Sequence, residues 1–261
     1  MDSEGATSAR QLLAGPASAL LSLAGLVALW AVVAYLAQSR VLPPPYAVAV
    51  FLAAETASGE LFYHLGITLW RVAAAFVLAM TIGTAIGLAL GSDRRLNRFF
   101  DPWLVLFLNI PALVVIVLAY VWFGLNEAAA IGAVAVNKIP NVAVTLREGT
   151  RALNPALSDL AKVYRFGRLQ TLSDVILPQL QPYLAAASRS GIALIWKIVL
   201  VVELLGRSNG VGFQIHLYFQ LFDVAAVLGY ALAFVAVMLI VEIALLQPLE
   251  RRATRWRPRN A

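Results

Sequence analysis

Long apolar runs separated by short polar connections set the pattern of this chain. Six runs are continuous enough to cross a bilayer, at about 17–37, 64–90, 102–123, 127–146, 183–205 and 225–247. A hydrocarbon core of about 30 Å takes roughly 20 residues of helix. With no water there to satisfy backbone groups, each run must be a helix or part of a closed barrel. The two-residue alternation of a barrel is absent. The pattern therefore predicts an all-α integral membrane protein with six transmembrane helices. One polar stretch interrupts it: "PALSDLAKVYRFGRLQTLSDVILPQLQP", residues 155–182, holds too much charge for a span. Its apolar residues still recur at helical spacing, as Leu157, Leu160, Ala161 and Tyr164, then Leu169, Leu172, Val175 and Ile176. It reads as one or two short helices outside the membrane, between the fourth and fifth spans.

Composition agrees. Of 261 residues, 61% are hydrophobic and 13% charged, against roughly 45–50% and about 25% in a soluble domain. Lys and Arg set the orientation. With the N-terminus inside, the inner segments hold Arg10, then Arg94, Arg95 and Arg98, then Arg147, Arg151, Lys162, Arg165 and Arg168, and finally Arg251, Arg252, Arg255, Arg257 and Arg259. The outer connections keep only Arg40 and Arg207, with Arg71 just inside the second helix. Both termini are therefore expected in the cytoplasm. This divides the chain into a cytoplasmic segment (1–16), a transmembrane domain (17–247) and a basic tail (248–261). The net charge of +6 is then a topology signal, dispersed over loops and a tail instead of gathered into a nucleic-acid footprint. The opening "MDSEGATSARQ" is acidic and no small-residue cleavage site follows the first apolar run, so that run is expected to be retained as a helix.

Catalytic chemistry finds little to work with. There are no cysteines, hence no disulfide framework or thiolate metal site. His64 and His216 stand far apart near the outer face and are not expected to form a metal pair. No nucleophile elbow, zinc-protease motif or phosphate-binding loop occurs. The chain is expected to be non-catalytic and to bind no cofactor of its own.

Residues inside the spans carry more information. "GTAIGLALG" sets Gly83, Gly87 and Gly91 four apart, a small-residue stripe for close helix approach within one subunit or between two. Pro111 and Pro140 interrupt apolar runs and should bend them, either near a pathway or as simple kinks. Lys138 lies near mid-bilayer in the fourth span, flanked by Asn137 and Asn141, while Lys197 and Glu203 lie along the fifth. A lysine at that depth must face protein or water. Two readings stay open: a structural ion pair of either lysine with Glu203, or a positive lining for an anionic solute.

The polar loop resembles that of the membrane-spanning subunits of bacterial type I ABC importers, in which Glu-Ala-Ala is followed by a glycine and then Ile-x-Leu-Pro. Aligned on "VILP", Asp159, Leu160 and Ala161 stand for Glu-Ala-Ala, and Val175, Leu177 and Pro178 for the closing motif. The family's glycine falls on Arg165, with this chain's own at Gly167. "LPPPYAVAVFL", the second helix with its glycines and basic turn, "VWFGLNE", "VELLGRSNGVGFQI" and "LERR" are similar to the nitrate, sulfonate and taurine group, so the likeness covers nearly the whole chain. It implies that the loop, about 147–182, forms coupling helices that dock on a separate ATPase through Asp159, Leu160, Ala161, Tyr164, Arg165, Gly167, Val175, Leu177 and Pro178. Pro178 would end that segment before the fifth helix. Two copies of the subunit would form the pore, the ATPases would hold ATP and Mg, and a periplasmic or lipid-anchored binding protein would deliver the solute at the bacterial inner membrane. If Lys138 faces the path, it favours a carboxylate or sulfonate. The competing classes are an ATPase-independent transporter or channel and a scaffold subunit. The chain has neither an internal repeat nor an evident ring of filter residues.

Overall fold

The computed structural model describes residues 16–39, 41–246 and 248. Arg10, Arg40 and the tail arginines Arg251 to Arg259 lie outside the described residues, which contain no strand. Helix α1 is Pro16–Ala37, α2 is Pro45–Ser58 and α3 is Glu60–Ser92. The next two, α4 (Arg94–Asn109) and α5 (Ala112–Phe123), precede α6 (Glu127–Arg151) and the short α7 (Pro155–Val163). Helix α8 (Arg168–Gln170) passes through a π turn (Thr171–Ile176) into α9 (Leu177–Gly206), followed by α10 (Val211–Gln220) and α11 (Val224–Val241), the last ending in a second π turn.

Turn chemistry explains most boundaries. Asp93 accepts N–H bonds from Arg95 (2.7 Å) and Leu96 (3.3 Å) to start α4. Asn126 does the same for α6 through Ala129, Asn154 for α7 through Ala156, and Asp223 for α11 through Ala226. Each such cap contributes about 1 kcal/mol. Helices α2 and α10 were not anticipated: α2 starts at the last of three consecutive prolines, and α10 has only ten residues.

The expected spans stand at α1, α3, α6, α9 and α11, most of them longer than the apolar runs. The expected single span at 102–123 is instead a broken pair, α4 and α5, bent by 95°. Pro111 lacks an N–H and forces Ile110 into an extended conformation, φ −72° and ψ 124°. The Asn109 side chain donates to the Val105 carbonyl in the last turn of α4 (2.7 Å). Pro140 behaves differently: it is buried in α6 and the helix continues through it. Pro178 also departs from expectation. It lies in the first turn of α9, and the helical path is unbroken from Arg168 to Gly206. The π turn just before it relaxes the hydrogen-bond register where the proline offers no donor.

The core is built on α3, α6 and α9. The glycine stripe of α3 lies against α6 of the same chain. A methyl on Gly83 would sit 2.6 Å from Val142, one on Gly87 2.7 Å from Leu146, and one on Gly91 would collide with Thr150. Many large apolar side chains, such as Leu20, Trp70, Val121 and Ile240, point outward, as suits a lipid solvent. Gly87→Leu should overpack the α3–α6 seam by about 1–3 kcal/mol or more, lowering the thermal midpoint of the detergent-purified protein by about 5 °C. Gly66→Leu, where nothing lies within 4 Å, should leave it unchanged. Equal midpoints for the two variants would remove the seam from the account.

Candidate functional site

Three polar assemblies interrupt the apolar bundle, one at each end and one at mid-membrane. At the outer end, the Arg71 side chain, 1% exposed, is surrounded by acceptors from three directions. Its Nε donates to Glu127 Oε2 (2.9 Å) and Nη2 to Glu127 Oε1 (2.7 Å). Its Nη1 donates to Glu203 Oε1 (2.7 Å) and to the Asn209 carbonyl (2.8 Å), and Nη2 also reaches Asn209 Oδ1. All five guanidinium N–H donors are thereby used. The other Glu203 oxygen accepts from Thr68 Oγ1 (2.9 Å) and from the Gly212 N–H (2.8 Å) at the start of α10. Arg207 joins from the loop, donating to Glu127 (2.5 Å) and the Leu125 carbonyl (2.8 Å).

The segment 206–212 is fixed mainly through its backbone. The Val211 N–H donates to Thr68 Oγ1 (2.8 Å) and the Gly210 N–H to His64 Nδ1 (2.9 Å). That bond puts the ring proton of His64 on Nε2, which faces the Gln214 amide at 2.5 Å. Gly210 has φ +104°, and a Cβ there would strike the Glu203 carboxylate, so glycine is required at that turn. His216 stands apart, against Gln220.

At mid-membrane, Lys138 is 2% exposed, and its Nζ meets only Ser190 Oγ, at 3.5 Å. Among the described residues no carboxylate lies within 4 Å of it. Gly191 and Phe76 form the rest of its surroundings. Asn141 is exposed and Asn137 half-buried, one turn apart beside it on α6, while Ser190 is exposed on α9. Exposed amides and a cation at this depth are incompatible with lipid and require water or a second subunit opposite. The structure thus groups Asn137, Lys138 and Asn141 and separates the other two residues. Lys197 lies over the Trp196 ring at 5.5 Å, in a cleft of about 210 Å³ shared with Glu242. Glu203 belongs to the outer assembly, so the ion pair anticipated between it and a lysine is replaced by one with Arg71. Sequence reasoning undervalued Arg71, Glu127, Thr68 and Asn209. An arginine and a glutamate inside spans were the available signal, because buried charges occur paired.

At the inner end, α6 runs from Glu127 to the level of Gly149, about 33 Å at 1.5 Å per residue, which matches the hydrocarbon thickness. Gly149 abuts Tyr183 of α9, so residues 168–176 extend about 10–20 Å farther along the helical path. Helix α7 packs against the π turn there, with Ala161 buried between them. Ala161 therefore faces its own fold, not outward as a docking residue would. Asp159, Leu160, Tyr164, Arg165, Gly167 and Pro178 are exposed, and Val175 and Leu177 are partly buried.

Helix α7 ends in a Schellman motif: Phe166 N–H bonds to the Ala161 carbonyl (2.9 Å) and Arg165 N–H to that of Lys162 (3.0 Å). Arg165 occupies the left-handed position, φ +54°, whereas Gly167 is extended at φ −66°, ψ 162°. The turn that calls for glycine thus falls on Arg165, at about 1–2 kcal/mol relative to glycine.

The geometry is that of an integral membrane bundle with a polar face on α6 and α9 and a separate polar helical segment, α7 and residues 168–176. The comparisons make this specific: residues 79–253 match the family described as binding-protein-dependent transport system inner membrane component, and the chain belongs to that family. A protein of Bacillus subtilis (strain 168) named as an aliphatic sulfonates transport permease is 31% identical, the match covering 91% of this chain and 87% of that one. The taurine transport system permease protein of Escherichia coli (strain K12) is 26% identical over 90% of this chain and 88% of its own. A bicarbonate transport system permease protein of Synechococcus elongatus is 30% identical over 59% and 56%. These relatives place the chain in the sulfonate, taurine and bicarbonate group of type I ABC importer permeases. The fold is also that of the MetNI methionine ABC transporter in an inward-facing conformation, with TM-score 0.65 and 18% identity, covering 77% of this chain and 99% of that chain.

The outer assembly generates a stability prediction. Arg71→Met should destabilise the purified protein by about 3–5 kcal/mol, because two carboxylates lose their buried partner. Arg71→Lys should recover little, since an ammonium cannot supply the planar five-donor fork. A lysine variant that melts with the wild type would show that charge alone suffices.

Proposed function

We propose that this chain is the permease subunit of an ATP-driven importer, and that two copies enclose a path for a small anion such as a sulfonate, taurine or a related carboxylate. The observation that carries this reading is Lys138: a buried cation beside an exposed polar face, with no carboxylate partner among the described residues. An ammonium so placed is stabilised by an anion passing the face, with Asn137, Asn141 and Ser190 as neutral hydrogen-bonding groups. The names of the relatives, sulfonate, taurine and bicarbonate permeases, point to the same solute charge.

Energy enters from the cytoplasm in this account. A separate ATPase holds ATP and Mg and docks on the segment 147–182, while a binding protein delivers solute from outside. Both termini lie in the cytoplasm, and the protein resides in the bacterial inner membrane. Supporting the docking role is the continuation of residues 168–176 along the helical path past the level of Gly149 on α6, with α7 packed on the π turn. The helical path from Arg168 to Gly206 ends one turn beyond Glu203, so displacement of the loop is transmitted to the outer assembly along one rod. Such coupling requires two states of the bundle that nucleotide binding distinguishes.

Lys138→Met should lower anion uptake into proteoliposomes by about tenfold or more, as loss of a buried charge partner would, with unchanged yield of folded permease. Normal uptake, or a fall in folded protein in place of uptake, would make Lys138 a structural residue.

A further inference from the structure

Resting on the ATPase-docking reading of the cytoplasmic loop, we propose that Arg165 selects the partner, its guanidinium pairing with an acidic side chain on the rim of an apolar docking groove. Backbone geometry singles the residue out. Arg165 holds the left-handed position of a complete Schellman motif, where glycine would be free of strain. The adjacent Gly167 does not relieve it, being extended. A strained residue kept at an exposed tip is a mark of function when its side chain has work to do there.

The charges around it define the complement. Asp159 and Lys162 neutralise one another at 2.9 Å. Arg165 and Arg168 are exposed and form no ion pair among the described residues, leaving two positive charges at the tip. Next to them Leu160, Val163, Tyr164 and Leu169 are exposed, three of them by two-thirds or more of their surface. The matching surface therefore has an apolar floor and an acidic rim. Anionic lipid has similar chemistry; the proposal commits to a protein, because the tip stands at the end of a helical path that continues past the level of Gly149 on α6.

The test uses full-length permease in lipid with the ATPase encoded alongside it, measuring affinity and solute-stimulated hydrolysis at low and high salt. Arg165→Gly separates the two roles of the position, because it relaxes the turn while removing the charge. The prediction is about tenfold weaker ATPase binding for Arg165→Gly with most of the salt dependence lost, and weaker still for Arg165→Glu, with the yield of folded permease unchanged. Binding by Arg165→Gly as tight as wild type would overturn the proposal and make Arg165 a turn residue only. Loss of binding to phosphatidylglycerol vesicles, with ATPase affinity intact, would overturn it in favour of lipid. Failure of the wild-type chain to bind any ATPase would instead refute the docking reading beneath it.

Discussion

One guanidinium holds the outer half of this bundle together. Arg71 projects from α3 into the junction of α6, α9 and the loop before α10, and every one of its donors is taken. Removing Arg71 and Glu203 from water is expensive, and the mutual attraction offsets it only when geometry satisfies every lone pair and proton. Here the satisfaction extends outward: Glu203 also holds the N–H of Gly212, and Thr68 that of Val211. The loop from Gly206 to Gly212 is thereby as fixed as the helices it joins. The outer assembly thus fixes one end of the bundle, while at the other end α7 packs on the π turn, and Ile176, Leu180 and Tyr183 pack against Val142 and Leu146 of α6.

The cations of this chain divide by what surrounds them. Arg71 is fully paired, and its role is structural. Lys138 is as deeply buried, yet among the described residues it has one long contact, with a serine, and no carboxylate partner. Arg165 is exposed and forms no ion pair among the described residues. Burial and the number of acceptors supplied thus set three different environments for one residue class.

Much of this was legible in the sequence, because lipid enforces a simple rule about run length and charge. The spans and the separate polar segment follow from that rule. Less was legible wherever the outcome depends on contacts between distant residues. Pro111 and Pro140 look alike in sequence. Pro111 breaks the chain between α4 and α5, while Pro140 is buried in α6, which continues through it. Glu203 had two lysines nearer in sequence than its true partner, 132 residues away. The glycine stripe announced a close approach, and only the fold reveals α6 of the same chain as its neighbour. Alignment of the loop put the family's glycine on Arg165, and the positive φ found there gives that substitution a physical meaning.

The most direct test of the account is ATP turnover by the permease reconstituted in lipid with its ATPase and binding protein. The account predicts hydrolysis that rises several-fold when the binding protein carries a sulfonate or related anion, in step with accumulation of that anion inside the vesicles. Anion movement that proceeds without ATP, or hydrolysis indifferent to the loaded binding protein, would contradict it.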